Sequence, residues 1–202
     1  MLFLQVRLGE CKVKIDKEKF VNLSGSLGNT YALPLRLLST TADSILIDKD
    51  YTVIVIKYID EHSGFYYTRG SQNEWDEVTE AIIPETSIVY SNADLSKNKI
   101  RSLVTQSLTQ FQMQGMGTLG NANGTAIDTD RLLINLGADG AVTLETNTGS
   151  NAVTDKGSSY NANAKTFTLK YIYQAAGKSY LVDELLTLRQ DVEKELRFQI
   201  WQ

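Results

Sequence analysis

Nucleophilic catalysis requires a general base beside a serine or cysteine, and this chain offers one histidine, His62, in the polar run Asp60-Glu61-His62-Ser63-Gly64. No serine or cysteine motif accompanies it, so His62 reads as a solvated loop residue. One histidine and one cysteine, Cys11, cannot supply the three or four ligands of a zinc site. A glycosidase needs only two acids flanking a bond, and Asp60-Glu61 or Glu74, Asp76, Glu77 and Glu80 could supply them. These acids lie in loop-like stretches where solvated charge is the simpler reading. Asp128 and Asp130 with Asn121 and Asn123 could hold calcium, but they lack the glycine and terminal glutamate of an EF-hand loop. The expectation is a protein with no reaction, no metal and no cofactor.

Aromatic residues offer binding chemistry instead. Sugar rings present apolar C–H faces that stack on Trp and Tyr, while amides and acids bond their hydroxyls. Trp75 stands in Gln72-Asn73-Glu74-Trp75-Asp76, a polar run with no apolar period to bury it. It reads either as a binding platform or as a plug at a barrel end. Tyr66 and Tyr67 fall on opposite faces of one strand, so one of them belongs to a core. Tyr90 completes the candidate set of Trp75, Tyr66, Tyr67 and Tyr90, with Tyr160 and Trp201 behind it.

The elements that must position these residues are strands. Residues 11–20 alternate through Cys11, Val13 and Ile15, Tyr31–Leu38 and Tyr51–Ile59 follow, and Val53 to Ile56 form a β-branched run expected to be buried on both faces. Beyond residue 60, strands are expected at 65–69, 87–90, 100–105, 132–136, 141–145, 165–173 and 179–188, with Gly137-Ala138-Asp139-Gly140 and Ala175-Ala176-Gly177-Lys178 as turns. A helical turn fits only 191–196. The fold class is all-β: a partial domain over 1–60, then an antiparallel barrel or sandwich over 61–202.

Totals narrow the function. The 202 residues carry 20 basic and 24 acidic side chains, a formal charge of -4 without a basic cluster, which argues against nucleic acid. No run approaches the roughly 20 apolar residues of a membrane-spanning helix. Arg7 and Glu10 stand where the apolar core and cleavage site of a lipoprotein leader ending at Cys11 would lie, so no signal peptide is evident and Cys11 reads as a half-buried strand residue.

Three phrases, Val13-Lys14-Ile15-Asp16-Lys17-Glu18-Lys19-Phe20, Thr30-Tyr31-Ala32-Leu33-Pro34-Leu35-Arg36 and Asp50-Tyr51-Thr52-Val53-Ile54-Val55-Ile56-Lys57-Tyr58, resemble the end of the DUF1735 domain. Gly64-Phe65-Tyr66-Tyr67-Thr68-Arg69-Gly70, Tyr160 to Leu169 and Gly177-Lys178-Ser179-Tyr180 resemble the DUF4361 domain. The pair implies a Bacteroidetes surface lipoprotein of a polysaccharide-utilisation system, with an immunoglobulin-like N-terminal domain and a second β domain. Gly64-Phe65-Tyr66 is similar to the Gly-x-Trp opening of lipocalin-like barrels, with Tyr for Trp. Members carry a leader, a lipidated cysteine and earlier strands, so this chain reads as a truncated form. Asp43-Ser44-Ile45 matches the short O-glycosylation signal of that phylum.

The functional expectation is a non-catalytic surface protein that binds a glycan, with Trp75 foremost. Its rivals are a structural subunit packed against outer-membrane glycan-uptake proteins, and a barrel enclosing a small ligand.

Overall fold

Side chains alternate across a strand, so a strand with one apolar face must find a second layer or curl around its own apolar side. The computed structural model describes residues 3–7, 10–39, 50–119 and 130–189. The chain divides into two compact units, residues 1–59 and 60–202.

In the first unit, β1 (Phe3–Arg7) pairs antiparallel with β2 (Glu10–Lys14). Cys11 lies in β2, opposite Val6. The strand expected over 11–20 stops at Lys14, because Asp16 caps a helix, α1 (Lys17–Val21), by accepting the Lys19 N–H at 3.2 Å. A second ribbon pairs β3 (Tyr31–Arg36) with β4 (Tyr51–Ile56), and Pro34 is tolerated opposite Val53 because every strand of a ribbon is an edge. The β-branched run expected to be buried is instead exposed at Val53, Ile54 and Val55. Two strands alone lack the covering layer that burial on both faces requires.

The second unit follows in chain order as β5 (Gly64–Asp76), β6 (Ala81–Ile82), β7 (Ile88–Tyr90), β8 (Lys99–Thr105), β9 (Gln110–Gln114), β10 (Arg131–Leu136), β11 (Ala141–Thr146), β12 (Val153–Asp155), β13 (Ser158–Asn161), β14 (Thr166–Ala175) and β15 (Lys178–Leu188). Eight of these, β5, β8, β9, β10, β11, β13, β14 and β15, each pair antiparallel with the next, and β15 returns to β5. The result is a closed eight-stranded up-and-down barrel, with β12 beside β14 and β6 and β7 beside β5. Closure runs from Ser179 opposite Trp75 to Leu188 opposite Tyr66. The strands expected from the sequence lack β6, β9, β12 and β13, and β5 extends well past residue 69. The β14–β15 hairpin turns through Ala176 (φ 52°) and Gly177 (φ 75°), the paired left-handed residues of a tight hairpin.

The wall meets water. Gln110, Gln112 and Gln114 alternate with buried Phe111 and Met113 along β9, the inverse of a lipid-facing barrel. Among the described residues no helix is long and apolar enough to cross a membrane. Inside, Tyr66, Phe111, Leu132, Ile134, Phe167 and Leu186 form part of a continuous core.

Another part of the interior is polar, and the chain itself enters it. After β9, residues 115–119 form a strap held through its backbone. Arg101 Nη1 donates to the Leu119 carbonyl at 2.8 Å and Nη2 to the Gly117 carbonyl at 2.5 Å. Lys99 Nζ donates to the Thr118 carbonyl at 2.8 Å. In return the Gly117 N–H donates to the Tyr171 hydroxyl at 2.9 Å and the Thr118 N–H to Gln72 Oε1 at 2.9 Å. Gly115, at φ 89°, has no room for a Cβ, which would overlap Arg101 Nη1.

Glycine at 115 thus answers two constraints, backbone conformation and close approach, whereas Gly149, at φ 79°, has nothing within 4 Å of its Cβ position. Gly149→Ala should therefore cost about 1 kcal/mol, from backbone alone. Gly115→Ala should cost roughly 2–3 kcal/mol or more. Urea unfolding of the two variants checks the difference, and equal costs would contradict the strap geometry.

Candidate functional site

Trp75 is not in a loop. It is the penultimate residue of β5, on the outward side, opposite Ser179 of β15 and Ile82 of β6. It lines a surface groove of about 200 Å³ with Glu77, Thr154, Lys156, Ile172 and Gln174. The floor is made by Ile172, which faces outward on β14 yet is buried. The groove has one aromatic wall and several hydrogen-bonding side chains.

Its polar groups are fixed. Glu77 Oε1 accepts from Gln174 Nε2 at 2.7 Å and from Ser179 Oγ at 2.6 Å. Those two donors hold the Glu77 carboxyl below its ordinary pKa. Asp76 Oδ1 accepts the backbone N–H groups of Val78 (2.8 Å) and Thr79 (3.2 Å), which lower its pKa likewise. The Lys156 ammonium stands 5.8 Å from the centroid of the Trp75 ring. Lys178 Nζ bonds Glu74 Oε1 at 2.5 Å across the β15–β5 seam.

The other candidate tyrosines do not converge on this groove. Tyr66 is 1% exposed, a core residue whose hydroxyl donates to the His62 carbonyl at 2.7 Å. Burial raises its phenol pKa. Tyr67 faces outward near the far end of β5, opposite Thr187 and Ile100. Tyr90 lies on β7, and its hydroxyl turns inward to donate to Glu184 Oε2 at 3.0 Å. A buried tyrosine in the core and another engaged with an interior carboxylate cannot serve as a surface platform, so Trp75 and Tyr67 remain the outward pair.

His62 is not a solvated loop residue either. Its side chain is 18% exposed, and its Nδ1 lies 2.6 Å from Asp60 Oδ1, which also accepts the His62 backbone N–H at 3.0 Å. The ring meets Tyr160 edge-on at 4.8 Å and Phe111 at 5.6 Å. The polar run 60–64 contains Asp60 but does not signal the burial, because the rings that cover His62 come from β9 and β13. His62 lines a wider recess at one end of the barrel, about 750 Å³, with the 137–140 turn and Tyr160–Ala162.

The interior network went unanticipated as well. Glu184 is 1% exposed, and its Oε1 accepts from the Tyr171 hydroxyl at 2.7 Å. Desolvation raises its pKa, opposed by Arg101 and the two tyrosine hydroxyls. Among the described residues no group of histidine, cysteine and carboxylate side chains could hold a metal ion. Asn121, Asn123, Asp128, Trp201, the 191–196 turn and Asp43-Ser44-Ile45 lie outside the described residues.

No family model and no curated protein matches this chain. Solved structures do. A protein of unknown function from Bacteroides ovatus superposes with a TM-score of 0.64 at 13% identity, over 88% of this chain and 63% of its own. This chain therefore spans less than two thirds of that protein. An auxiliary nutrient binding protein from Bacteroides thetaiotaomicron matches over 96% of this chain and 67% of its own, with a TM-score of 0.41 at 14% identity. A multidomain protein including DUF1735 from Bacteroides ovatus matches over 85% and 64%, with a TM-score of 0.42 at 11% identity. The first likeness shows a shared fold; the other two are too loose to carry an argument.

Glu184 supplies a pH signature. A carboxyl with a raised folded-state pKa keeps a proton that the unfolded chain releases, so its contribution to stability falls as pH rises from the ordinary value of 4.5 through the folded value. Below that window the carboxyl exacts no linked penalty; above it the penalty is complete. Glu184→Gln keeps an acceptor for Tyr171 and removes the ionisation. The stability of this variant relative to wild type should rise with pH across the window, measured by urea unfolding at several pH values. A difference independent of pH would show that Glu184 does not titrate this way.

Proposed function

We propose that this chain is a non-catalytic binding protein that holds a glycan against the outer wall of its barrel. The carrying observation is the Trp75 groove, where an indole wall stands beside the hydrogen-bonded pair Glu77 and Gln174 and beside Thr154 and Lys156. An apolar ring face with flanking hydrogen-bonding groups is what a pyranose requires.

The acids support binding rather than hydrolysis. A glycosidase needs one carboxyl held protonated beside the bond, whereas Glu77 at the groove is pushed toward the charged form, as is its chain neighbour Asp76. The carboxyl that is pushed upward, Glu184, is sealed inside the barrel. The DUF1735 and DUF4361 resemblance of the sequence adds the setting, a Bacteroidetes cell-surface lipoprotein system for polysaccharide use.

A second reading has its own support. Val78, Ile82, Ile88 and Val89 are exposed at 93%, 46%, 50% and 69% along the β6–β7 margin. Such residues suit packing against an outer-membrane glycan-uptake protein. The third reading, a ligand within the barrel, would have to share the interior with the 115–119 strap.

A glycan array of the intact chain beside Trp75→Ala, with matching circular dichroism, tests the reading. Sugar binding by wild type should fall about tenfold or more in the variant, the loss expected from removing a stacking ring. A folded wild type that retains no glycan would transfer the role to assembly.

A further inference from the structure

The recess that contains His62 lies at the end of the barrel where β5 begins, and Trp75 stands near the end where β5 finishes. From Gly64 to Trp75 an extended strand covers roughly 35 Å, so these are separate places on the molecule. The recess measures about 750 Å³, within the range of small-molecule sites. Four features give it a chemical character.

Tyr160 supplies an aromatic wall that cannot swing. Its ring packs on Phe167 at 4.5 Å and takes the His62 ring edge-on at 4.8 Å, while His62 is itself pinned by Asp60. Leu108 and Leu136 add apolar surface beside it. Asp139 Oδ1 accepts the Ala141 N–H at 3.0 Å, and Asn161 Oδ1 accepts the Ala164 N–H at 3.0 Å. Each polar side chain is thereby held by its own turn through one oxygen. Among the described residues, Asp139 Oδ2 and Asn161 Nδ2 have no protein partner, which leaves one acceptor and one donor at the recess.

We propose that this recess is a second saccharide site, taking one pyranose unit: its C–H face against Tyr160 and the leucines, and its hydroxyls on Asp139 and Asn161. The ligand class rests on the glycan-binding reading above, but the residues are different ones. Preorganisation supports the assignment, since neither polar side chain needs ordering when a sugar arrives. Fixed sites at both ends would let one polysaccharide chain engage the barrel twice, so that binding strengthens with chain length without new contacts.

The test is residue-resolved. The ¹⁵N-labelled full chain is titrated separately with methyl α-glucoside, methyl β-glucoside, methyl β-galactoside and methyl α-mannoside, following backbone amide shifts. At least one glycoside should move the amides of 137–140 and 159–162. Trp75→Ala should leave those shifts intact. Asn161→Asp keeps the turn but replaces the donor, and should weaken the same shifts about tenfold in apparent affinity. Tyr160→Ala should do likewise; because its ring also packs on Phe167, the exposed Asn161→Asp carries the test if that variant does not fold. No shift at the recess with any glycoside, or shifts that Asn161→Asp leaves unchanged, would overturn the second site. Shifts confined to the surroundings of Trp75 would overturn it while leaving the glycan reading in place, and shifts at the recess alone would remove Trp75 from that reading instead.

Discussion

A guanidinium keeps its charge at any pH a protein survives, so burying one obliges the fold to surround it with acceptors. Arg101 is fully buried inside the barrel, and the interior is organised around that obligation. Its two terminal nitrogens take the carbonyls of Gly117 and Leu119, which brings the 115–119 strap into the lumen. The strap's own N–H groups then need acceptors, and Tyr171 and Gln72 provide them. The Tyr171 hydroxyl donates to Glu184 Oε1, whose other oxygen accepts from Tyr90, so one buried cation recruits a chain of partners from β5, β7, β14 and β15. Glycine at 115 follows from the same constraint, since any side chain there would strike the guanidinium.

Filling the lumen this way moves the opportunities for binding to the wall and the ends. The wall is available because β15 pairs with β5 continuously from Ser179 to Leu188, and because β5 continues past β8 to pair with β7 and β6. Trp75 sits on this extension. It is supported by Ile172 and flanked by Glu77, Lys156 and Gln174, which arrive from three different segments. At the opposite end, the turns after β10 and β13 surround Tyr160 and His62. The same scaffold thus presents two recesses without cutting into its core.

The sequence carried the strand content and much of the alternation. The period of two along β14, through Phe167, Leu169 and Tyr171, and the Asp-Gly turn after β10 were legible because both are local. Residues 17–21 misled because the alternation of Cys11, Val13 and Ile15 was extended into them, while the deciding feature is the Asp16 cap. Strand β9 was missed although Gln110, Gln112 and Gln114 alternate with Phe111 and Met113, because only two apolar residues mark it. Trp75 stood out correctly as an unburied aromatic, but its strand was hidden by polar neighbours whose partners are more than one hundred residues away. The burial of His62 and Glu184 was unreadable for the same reason: the rings over His62 and the partners of Glu184 come from other strands, and spacing along the chain says nothing of them.

The central claim is that ligand is held outside a filled barrel, and hydrogen exchange of the intact chain with and without a mixed plant and host glycan digest tests it most directly. Added protection at 75–82, 152–156 and 172–179, with Gly117 and Thr118 exchanging as slowly as before, is what the account predicts. A change centred on the Gly117 and Thr118 amides, with the Trp75 wall unaffected, would place the ligand in the lumen and contradict it.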